Sequence, residues 1–443
     1  MIYKEENSMR RNKLWALTLI GAMTVGSLAG CGKKEAPTAN TSTQKNDAAQ
    51  KKQVKLKVWG PQEDQAAPAD KNVKGYDKGW LVAMCDKFNE AHPEWDIQFE
   101  YGVCAEGDVY KTIKNDVEAA ADVYMVANDQ IPDLVSTGAI AQLGGATVDA
   151  VKADNDQTLV DSVTYNEKVY GVPFTSNTWF MYYDKSKYSE DEIKSLDTMM
   201  AKDLGNGVYN VGMKLDNSWY IPSFFFAAGC NLFGENGTDA AKGCEFNNEA
   251  GVGAAKYVME LAKSKKFALD KDNDSISKFK AGKLGAFFSG SWDYTAIKEA
   301  LGDNCGVAAL PTIKVNGQDG QMKSFSGSKA VAVNPNSKNP QVAVALAAFL
   351  GGQEAQQAHY EARGIIPTNK AVLASEAVAK DEVAQVQQQV IASTSKVQPI
   401  LKEMGQFWTP VESFAKEVCQ GDVKEDNVKA KLDSMVQGIA VKK

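Results

Sequence analysis

Apolar and polar residues alternate along the first third of the chain in a way that predicts strands and helices in turn. Residues 55–60 alternate and end in a glycine, as does a strand that opens into a loop. Apolar residues at positions 81, 84, 85 and 88 have helical spacing, which predicts an amphipathic helix over Trp80–Ala91. A strand over 96–101, a helix over 108–120 and a strand over 121–126 follow. This order predicts an α/β fold with a parallel sheet covered by helices.

Residues 275–292 carry the most informative pattern in the chain. Helical spacing is followed by Gly282, then by the apolar run 284–288, a Ser-Gly-Ser turn and Trp292. Ligands of α/β proteins bind beyond the carboxyl ends of strands, so Trp292 is a candidate ligand contact. The alternative is that Trp292 is a core residue.

The middle and the end of the chain continue the α/β pattern. Residues 179–184 are apolar on both faces, as in an interior strand. Pro173 cannot donate to a sheet, so we expect the chain to change course at 174–177. The remaining pattern predicts a helix from Pro222, helices over 252–263 and 340–350, strands over 305–310 and 330–333, and a mainly helical tail.

The N-terminal residues predict an exported, membrane-anchored protein. A basic cluster precedes the apolar stretch 14–28, which ends in Leu-Ala-Gly-Cys and resembles a bacterial lipobox. We therefore predict a lipoprotein signal peptide over 1–31, with lipidation of Cys31 at the outer face of the cytoplasmic membrane. A secretory signal with a chance cysteine is the alternative. Residues 32–53 are polar and small, as in a flexible tether.

Charge and cysteine usage narrow the range of functions. A net charge of −7 disfavours nucleic acid as a partner. The six cysteines after Cys31 include no Cys-x-x-Cys pair, and the chain has two histidines, so we expect neither a metal site nor another cofactor. Disulfides remain open, and the local candidate pairs are Cys230 with Cys244 and Cys85 with Cys104.

Several segments, in their order and spacing, resemble the extracellular solute-binding proteins of ABC sugar importers, and maltose- and maltodextrin-binding proteins in particular. They are DVYMVANDQ (122–130), YNEKVYGVP (165–173), SISKFKAGKLGAFFSGSW (275–292), GVAALP (306–311) and QFW (406–408). The resemblance implies a two-lobed α/β fold of the type II periplasmic-binding-protein kind, in which each lobe is a sheet flanked by helices. It also implies a monomer that delivers an oligosaccharide to the transmembrane subunits of an ABC permease.

The resemblance also implies the lobes and their three hinge crossings. The crossings are expected near 175–178, 305–310 and 350–353. The N-terminal lobe is then 54–174 plus 311–350, and the C-terminal lobe is 179–305 plus 353–443.

Candidate site residues follow from matching the family's motifs. Trp292 and Trp408 match stacking aromatics, and Asp129 matches a carboxylate that accepts sugar hydroxyls. Other matched positions depart from the family or align less closely: Gln130 in place of an arginine, Asn177 in place of a glutamate, Val126 in place of a tryptophan, Gln62 or Glu63 in a longer loop, and Trp219 or Tyr220 as a further aromatic.

Sugar recognition needs flat aromatic faces and polar groups around them. The expected function is therefore capture of an oligosaccharide, first of all a maltodextrin-type α-glucan, by a protein that is not an enzyme. The departures above leave room for another oligosaccharide. The same fold could instead bind a polyamine or another non-sugar solute. A surface glycan hydrolase would need paired carboxylates, for which Asp129 and Glu63 are the candidates.

Overall fold

The computed structural model describes residues 51–68, 74–271 and 273–440, which form alternating strands and helices. The strands are β1 (Lys52–Gly60), β2 (Trp95–Val103), β3 (Val123–Ala127), β4 (Thr164–Tyr165), β5 (Lys168–Val169), β6 (Val172–Asn177), β7 (Phe180–Asp184), β8 (Tyr209–Met213), β9 (Phe267–Leu269), β10 (Leu284–Ser289), β11 (Cys305–Ala308), β12 (Thr312–Val315), β13 (Gln318–Gln321), β14 (Ser324–Val333) and β15 (Ser395–Val397).

The α-helices range from single turns to four turns in length. They are α1 (Trp80–Ala91), α2 (Val109–Ile113), α3 (Ile131–Ser136), α4 (Gly145–Asp154), α5 (Gln157–Asp161), α6 (Leu196–Ala201), α7 (Pro222–Ala227), α8 (Glu249–Lys263), α9 (Asp274–Lys280), α10 (Tyr294–Leu301), α11 (Pro340–Leu350), α12 (Gln353–Arg363), α13 (Lys370–Leu373), α14 (Glu376–Ala379), α15 (Glu382–Ser393), α16 (Trp408–Gln420) and α17 (Val428–Ile439).

The N-terminal predictions are only partly covered by these ranges. The predicted signal peptide with Cys31, and residues 32–50 of the predicted tether, lie outside the described residues. The predicted tether ends too late, because Lys52 and Gln53 already belong to β1. No helix in the described part of the chain has both the length and the apolar character needed to cross a bilayer.

Six strands form the first sheet, in the order β15-β14-β3-β1-β2, with β6 also paired to β14. β1 and β2 are parallel from the pair Lys52–Trp95 to the pair Gly60–Val103. The alternation in β1 works as predicted: Val54, Leu56 and Val58 are buried. β14 runs antiparallel to β3 and β6, so the sheet is mixed and not purely parallel.

The second sheet has five strands in the order β11-β7-β10-β8-β9. Every residue of β7 and β10 is buried. Helices and loops cover both faces of these strands, which explains why the sequence is apolar on both faces.

Each sheet packs against its own large apolar core. The first core contains residues such as Leu56, Trp80 and Phe174 on the first sheet and its helices. The second core contains residues such as Trp179 and Phe225 on the second sheet. A smaller cluster with Phe180 and Phe287 lies on the other face of the second sheet.

The chain passes between the two cores at places that only partly match the prediction. Phe174 lies in the first core and Trp179 in the second, so the chain passes from one core to the other over residues 175–178. The second crossing is not at 305–310, because Leu310 packs in the second core. It lies inside β14, where Phe325 belongs to the second core and Ala330 to the first.

The third predicted crossing, at 350–353, is wrong as well. Leu350 and Ala355 both pack in the first core, because Gly351 and Gly352 form a turn between two helices of the same lobe. The chain leaves the first core after Ala362. Two segments therefore pack differently from the expected lobe boundaries: 313–322 contributes to the second core, and 355–362 to the first.

Two further element predictions need correction. The helix expected over 108–120 is instead the short α2 between 3-10 turns at Glu106–Asp108 and Val117–Ala119. The chain does not leave the sheet after Pro173 either. β6 runs through Pro173, and its register with β14 shifts between Lys329 and Ala330, as at a β-bulge. All six described cysteines are free thiols, so neither candidate disulfide forms here.

Candidate ligand-binding site

A polar cavity of about 380 Å³ lies between elements that belong to the two cores. One wall comes from the loop after β1, the end of β6 and α12. The opposite wall comes from the turn after β10. The cavity is lined by Pro61, Glu63, Asp64, Glu106, Thr175, Ser176, Asn177, Lys214, Asn273, Ser291, Trp292, Asp293, Lys329, His359, Arg363 and Ile365.

Trp292 is presented to this cavity by the α9–β10 segment. Gly282, with a φ of +67°, ends α9, and the fully buried β10 carries the chain to the turn. A Cβ atom at Gly290 would lie 2.1 Å from the Trp292 ring, so only glycine leaves the indole room in this position. Trp292 is 39% exposed. The core alternative for Trp292 is therefore excluded.

Hydrogen bonds fix the turn that carries Trp292. The Tyr182 hydroxyl donates to the Gly290 carbonyl over 2.8 Å. The Ser289 hydroxyl donates to the Asp293 carboxylate over 2.5 Å. Burial raises the pKa of Asp293, and the bond from Ser289 opposes that shift. The indole thus projects from a backbone that is held at both ends.

Glu63 enters the cavity from the 3-10 turn Gln62–Gln65. The Gln65 side-chain amide holds this turn by donating to the carbonyls of Gly60 (2.8 Å) and Gly102 (3.0 Å). Glu63 is exposed, whereas Gln62 is exposed without lining the cavity. The structure therefore places Glu63, and not Gln62, among the cavity residues.

Asn177 lies at the end of β6, on the first crossing, and lines the same cavity. Nearby, the Lys329 ammonium lies 3.0 Å from the Glu106 carboxylate. Lys214 donates to the side-chain oxygen of Asn273. Most charged groups around Asn177 are thus already satisfied by protein partners.

Trp408 and Asp129 form a second group outside the cavity lining. The Trp408 indole nitrogen donates to the Asp129 carboxylate over 3.0 Å, which joins an element of the second core to the loop after β3. The Trp408 ring packs against Trp219 (6.1 Å) and Phe325 (5.9 Å). Burial raises the pKa of Asp129 to about 6, although the bond from Trp408 acts in the opposite direction.

Two of the predicted ligand contacts, Gln130 and Tyr220, are buried and contact other parts of the protein. Gln130 is buried, accepts from the Tyr110 amide (2.8 Å) and donates to the Glu106 carbonyl (2.6 Å), so both ends of its side chain brace a loop. Tyr220 is buried with its ring 5.1 Å from that of Trp179, and burial raises its pKa. Of the two aromatic candidates in that segment, Trp219 is the partly exposed one.

Sequence reasoning missed an ionic cluster in the wall of the cavity. Asp64, His359 and Arg363 form a buried ionic cluster, with Asp64 Oδ1 2.9 Å from His359 Nε2 and 2.7 Å from Arg363 Nη1. Burial on its own would raise the pKa of Asp64, but the neighbouring His359 and Arg363 hold it below its ordinary value. One signal was available: Arg363 is the only arginine after Arg11.

Comparisons with known proteins give these features a context. The galactooligosaccharide-binding protein of Bacillus subtilis (strain 168) is 26% identical over 430 residues, covering 93% of this chain and 94% of that protein. The maltooligosaccharide ABC transporter solute-binding lipoprotein of Streptococcus pneumoniae is 24% identical over 433 residues, covering 91% of this chain and 92% of that protein. A structure solved with acarbose is 41% identical, with a TM-score of 0.80, and the match covers 87% of this chain and 98% of that one.

The expected type II periplasmic-binding-protein-like fold is confirmed by this structural likeness. Residues 83–385, well over half of the chain, match the family described as bacterial extracellular solute-binding protein. The chain belongs to that family of bacterial extracellular solute-binding proteins.

Proposed function

We propose that this protein captures an oligosaccharide outside the cell and delivers it to the permease of an ABC importer. The observation that carries the proposal is the half-exposed Trp292, held over a cavity whose other walls are almost entirely polar. An aromatic face matches the C–H face of a sugar ring, and polar side chains match its hydroxyls. The names of the relatives, which bind galacto- and maltooligosaccharides, point to the same ligand class.

Within that class we propose a maltodextrin-type α-glucan as the first ligand. The structure solved with acarbose supports this choice, because it is the most similar of the three comparisons in sequence. A galactose-based oligosaccharide is the second candidate, favoured by the Bacillus relative that aligns over nearly its whole length. Both kinds of oligosaccharide have an apolar face that can stack on an aromatic ring and hydroxyl groups around it. The same set of cavity side chains can therefore bind either one.

We assign the ligand contacts to the residues that the fold exposes at the cleft. Trp292 is the stacking platform, and Glu63 and Asn177 are hydrogen-bonding partners from the opposite wall. Trp408, Asp129 and Trp219 form the other end of the site and become available as the two cores move apart. This assignment omits Gln130 and Tyr220 because they are buried, and Gln62 because it does not line the cavity.

Binding without chemistry fits the arrangement of carboxylates. A glycan hydrolase needs two carboxyl groups that face one bond. Asp129 accepts from Trp408 and is not part of the cavity that Glu63 lines. The two acids are therefore not presented as a pair, and we assign the protein to capture and delivery.

A titration of intrinsic tryptophan fluorescence tests the ligand class. Residues 32–443 would be titrated with maltose, maltotriose, maltotetraose, β-1,4-linked galactotetraose and spermidine. We expect saturable changes with the α-glucans at micromolar concentrations. A response to spermidine and to none of the sugars would refute the sugar assignment. A response to the galactotetraose alone would replace the α-glucan by the second candidate.

We further propose that the protein works as a monomer that is tethered to the membrane through lipidated Cys31. A Cys31→Ala variant expressed in a Gram-positive host should appear in the medium, whereas the unchanged protein should sediment with membranes. Failure of the unchanged protein to incorporate a labelled fatty acid would rule out the lipid anchor. Light scattering of the soluble form checks the monomer.

A further inference from the structure

One wall of the cavity contains the cluster of Asp64, His359 and Arg363. Asp64 and His359 are 2% and 4% exposed. Asp64 follows Glu63 in the 3-10 turn Gln62–Gln65 and contacts both His359 and Arg363. Asp64 and Arg363 form a largely buried ion pair, and His359 contacts the same carboxylate oxygen. Buried charges cost stability unless they are paired, so an ion pair at this point demands an explanation. Its position in the wall of the ligand cavity supplies one.

Arg363 has more hydrogen-bonding capacity than the cluster uses. It contributes one N–H group to Asp64 over 2.7 Å. Its other N–H groups have no acceptor among the residues that the structure describes, and the side chain stays 19% exposed in the cavity wall. A guanidinium carries a rigid fork of donors, which suits it to a ligand with adjacent oxygen atoms.

The surroundings of the cluster hold this fork in place. The His359 ring lies 4.4 Å from the Trp80 ring and 5.6 Å from the Phe174 ring. Trp80 in turn donates to the Ala355 carbonyl over 2.9 Å, which ties α1 to α12. The packed His359 ring therefore holds the Asp64 carboxylate in place, and Asp64 in turn holds one edge of the Arg363 guanidinium. A donor that is already oriented loses little freedom when a ligand binds.

We propose that Arg363 is a ligand-contacting residue that donates to hydroxyl oxygens of the sugar unit stacked on Trp292. Asp64 and His359 are positioning residues that act through Arg363. This inference rests on the proposed oligosaccharide-binding function and names a contact within it.

The charge balance on this wall of the cavity favours a neutral sugar as the ligand. Asp64 already neutralises Arg363, and Glu63 adds a negative charge on the same side of the cavity. Lys329 is paired with Glu106 over 3.0 Å. An acidic sugar would meet no free cation on this wall and would be repelled by Glu63. The guanidinium therefore serves as a donor to neutral hydroxyl groups, and not as a counter-ion.

The test compares Arg363→Lys with the unchanged protein, using maltotetraose and β-1,4-linked galactotetraose as probes in isothermal titration calorimetry. The lysine keeps a cation beside Asp64 and loses the fork. A second variant, Asp64→Asn/Arg363→Met, removes both charges together, so that no carboxylate is left buried without a partner. Lys87→Met is the matched control, because it removes a cation whose exposed partner Glu354 lies on α12 outside the cavity.

We expect Arg363→Lys to weaken the tighter probe about tenfold, the loss of one or two hydrogen bonds, with an unchanged melting temperature of the ligand-free protein. The double variant should show the same or a larger loss, and Lys87→Met none. Combining Arg363→Lys with Trp292→Ala should give less than the product of the two single losses, because both residues contact the same sugar unit.

Two results would overturn the inference. If Arg363→Lys and the double variant bind both probes as tightly as the unchanged protein, while Trp292→Ala weakens binding, Arg363 is only a structural counter-ion and the proposed function survives. If the unchanged protein binds neither probe, the proposed function fails and the inference fails with it.

Discussion

At the scale of single residues, Trp292 shows how one side chain defines the cavity. Its indole stands over Gly290, and its exposed face looks towards groups from the other wall. Core tryptophans in this protein behave differently: Trp80 and Trp179 are buried completely. An exposed aromatic side chain on a rigid turn contributes little to the stability of the fold and much to the free energy of ligand binding.

Replacement of this indole gives the first prediction. Trp292→Ala should weaken oligosaccharide binding by about 1–3 kcal/mol, the worth of a partly buried aromatic contact. Trp292→Tyr should recover most of the loss, because it keeps a flat ring. Calorimetric titration gives the affinities and thermal unfolding gives the stabilities. A fall in melting temperature with unchanged affinity would show that Trp292 serves the fold.

The second prediction concerns pH and Asp129. Since burial raises its pKa to about 6, this carboxyl group gains a proton as the pH falls from 7.5 to 5. A neutral carboxyl group is a weaker acceptor for sugar hydroxyls, so affinity should decrease over that range. The effect on folding has the opposite sign. A raised folded-state pKa favours stability at low pH, and this contribution is lost as the pH rises through about 6.

The control for this pH dependence is Asp129→Asn, which does not titrate. Calorimetric affinities at pH 5, 6 and 7.5 should be nearly constant for the variant and should change for the unchanged protein. Parallel slopes for both proteins would assign the pH dependence to another group.

At the scale of elements, the turn after β10 does more than any helix to set the position of the Trp292 indole. The buried strand, the bonds from Tyr182 and Ser289, and the glycine beneath the indole together decide where the platform stands. Gly290 has an ordinary negative φ of −104°, so glycine is needed here for space and not for backbone conformation.

This leads to the third prediction. Gly290→Ala should displace the indole, because the new methyl group would meet the Trp292 ring, and ligand affinity should fall without a large change in unfolding free energy. The neighbouring Gly282→Ala is the contrasting variant. It strains a positive φ far from the cavity and should lower stability by about 1 kcal/mol while leaving affinity unchanged. Chemical denaturation and ligand titration of both variants separate the two effects.

Elements were predictable from sequence where a local pattern fixed them. The helix over Trp80–Ala91 has its apolar residues at helical spacing, and the structure gives it the same bounds. The segment 108–120 also has apolar residues at helical spacing, yet the structure breaks it into short turns. The Asp116 side chain accepts from the Ala119 amide and so begins a separate 3-10 turn. The strand through Pro173 was missed because β6 accommodates the proline at a register shift opposite β14. Only the partner strand decides that outcome.

At the scale of the whole molecule, the sequence could not locate what depends on distant partners. The second crossing was misplaced because β14 changes cores within one continuous strand, which leaves no local mark. The third was misplaced because Gly351 and Gly352 join two helices that pack in the same core. The Asp64–Arg363 pair joins residues 299 positions apart. The turn with Trp292 could be predicted from its local sequence pattern. The residues on the opposite wall of the cavity could be identified only from the folded structure.

The bond between Trp408 and Asp129 gives the fourth prediction, which concerns the relation of the two cores. This bond directly joins an element of the second core to the loop after β3 of the first sheet. Its loss should therefore shift the ligand-free protein towards more open conformations. Trp408→Phe keeps the aromatic ring and removes the donor. Small-angle X-ray scattering should give a larger radius of gyration for this variant without ligand. An identical radius for both proteins would mean that the bond does not hold the halves together.

The fifth prediction concerns the free thiols. Burial raises the pKa of Cys85, Cys230, Cys244 and Cys419 to about 12, so these side chains stay protonated and unreactive at neutral pH. With residues 32–443, which contain six cysteines, a colorimetric thiol reagent at pH 8 should therefore label the folded protein slowly and the unfolded protein at all six sites. Rapid labelling of the folded protein would contradict the burial of these groups.

The path of β14 through both cores also sets the order in which the protein can fold. The first sheet begins with β1 but stays incomplete until residues 324–333 have been made, because β6 and β15 join the other strands only through β14. Such long-range pairing is slow to form. A chain synthesised from its N-terminus therefore carries an incomplete sheet through most of its translation.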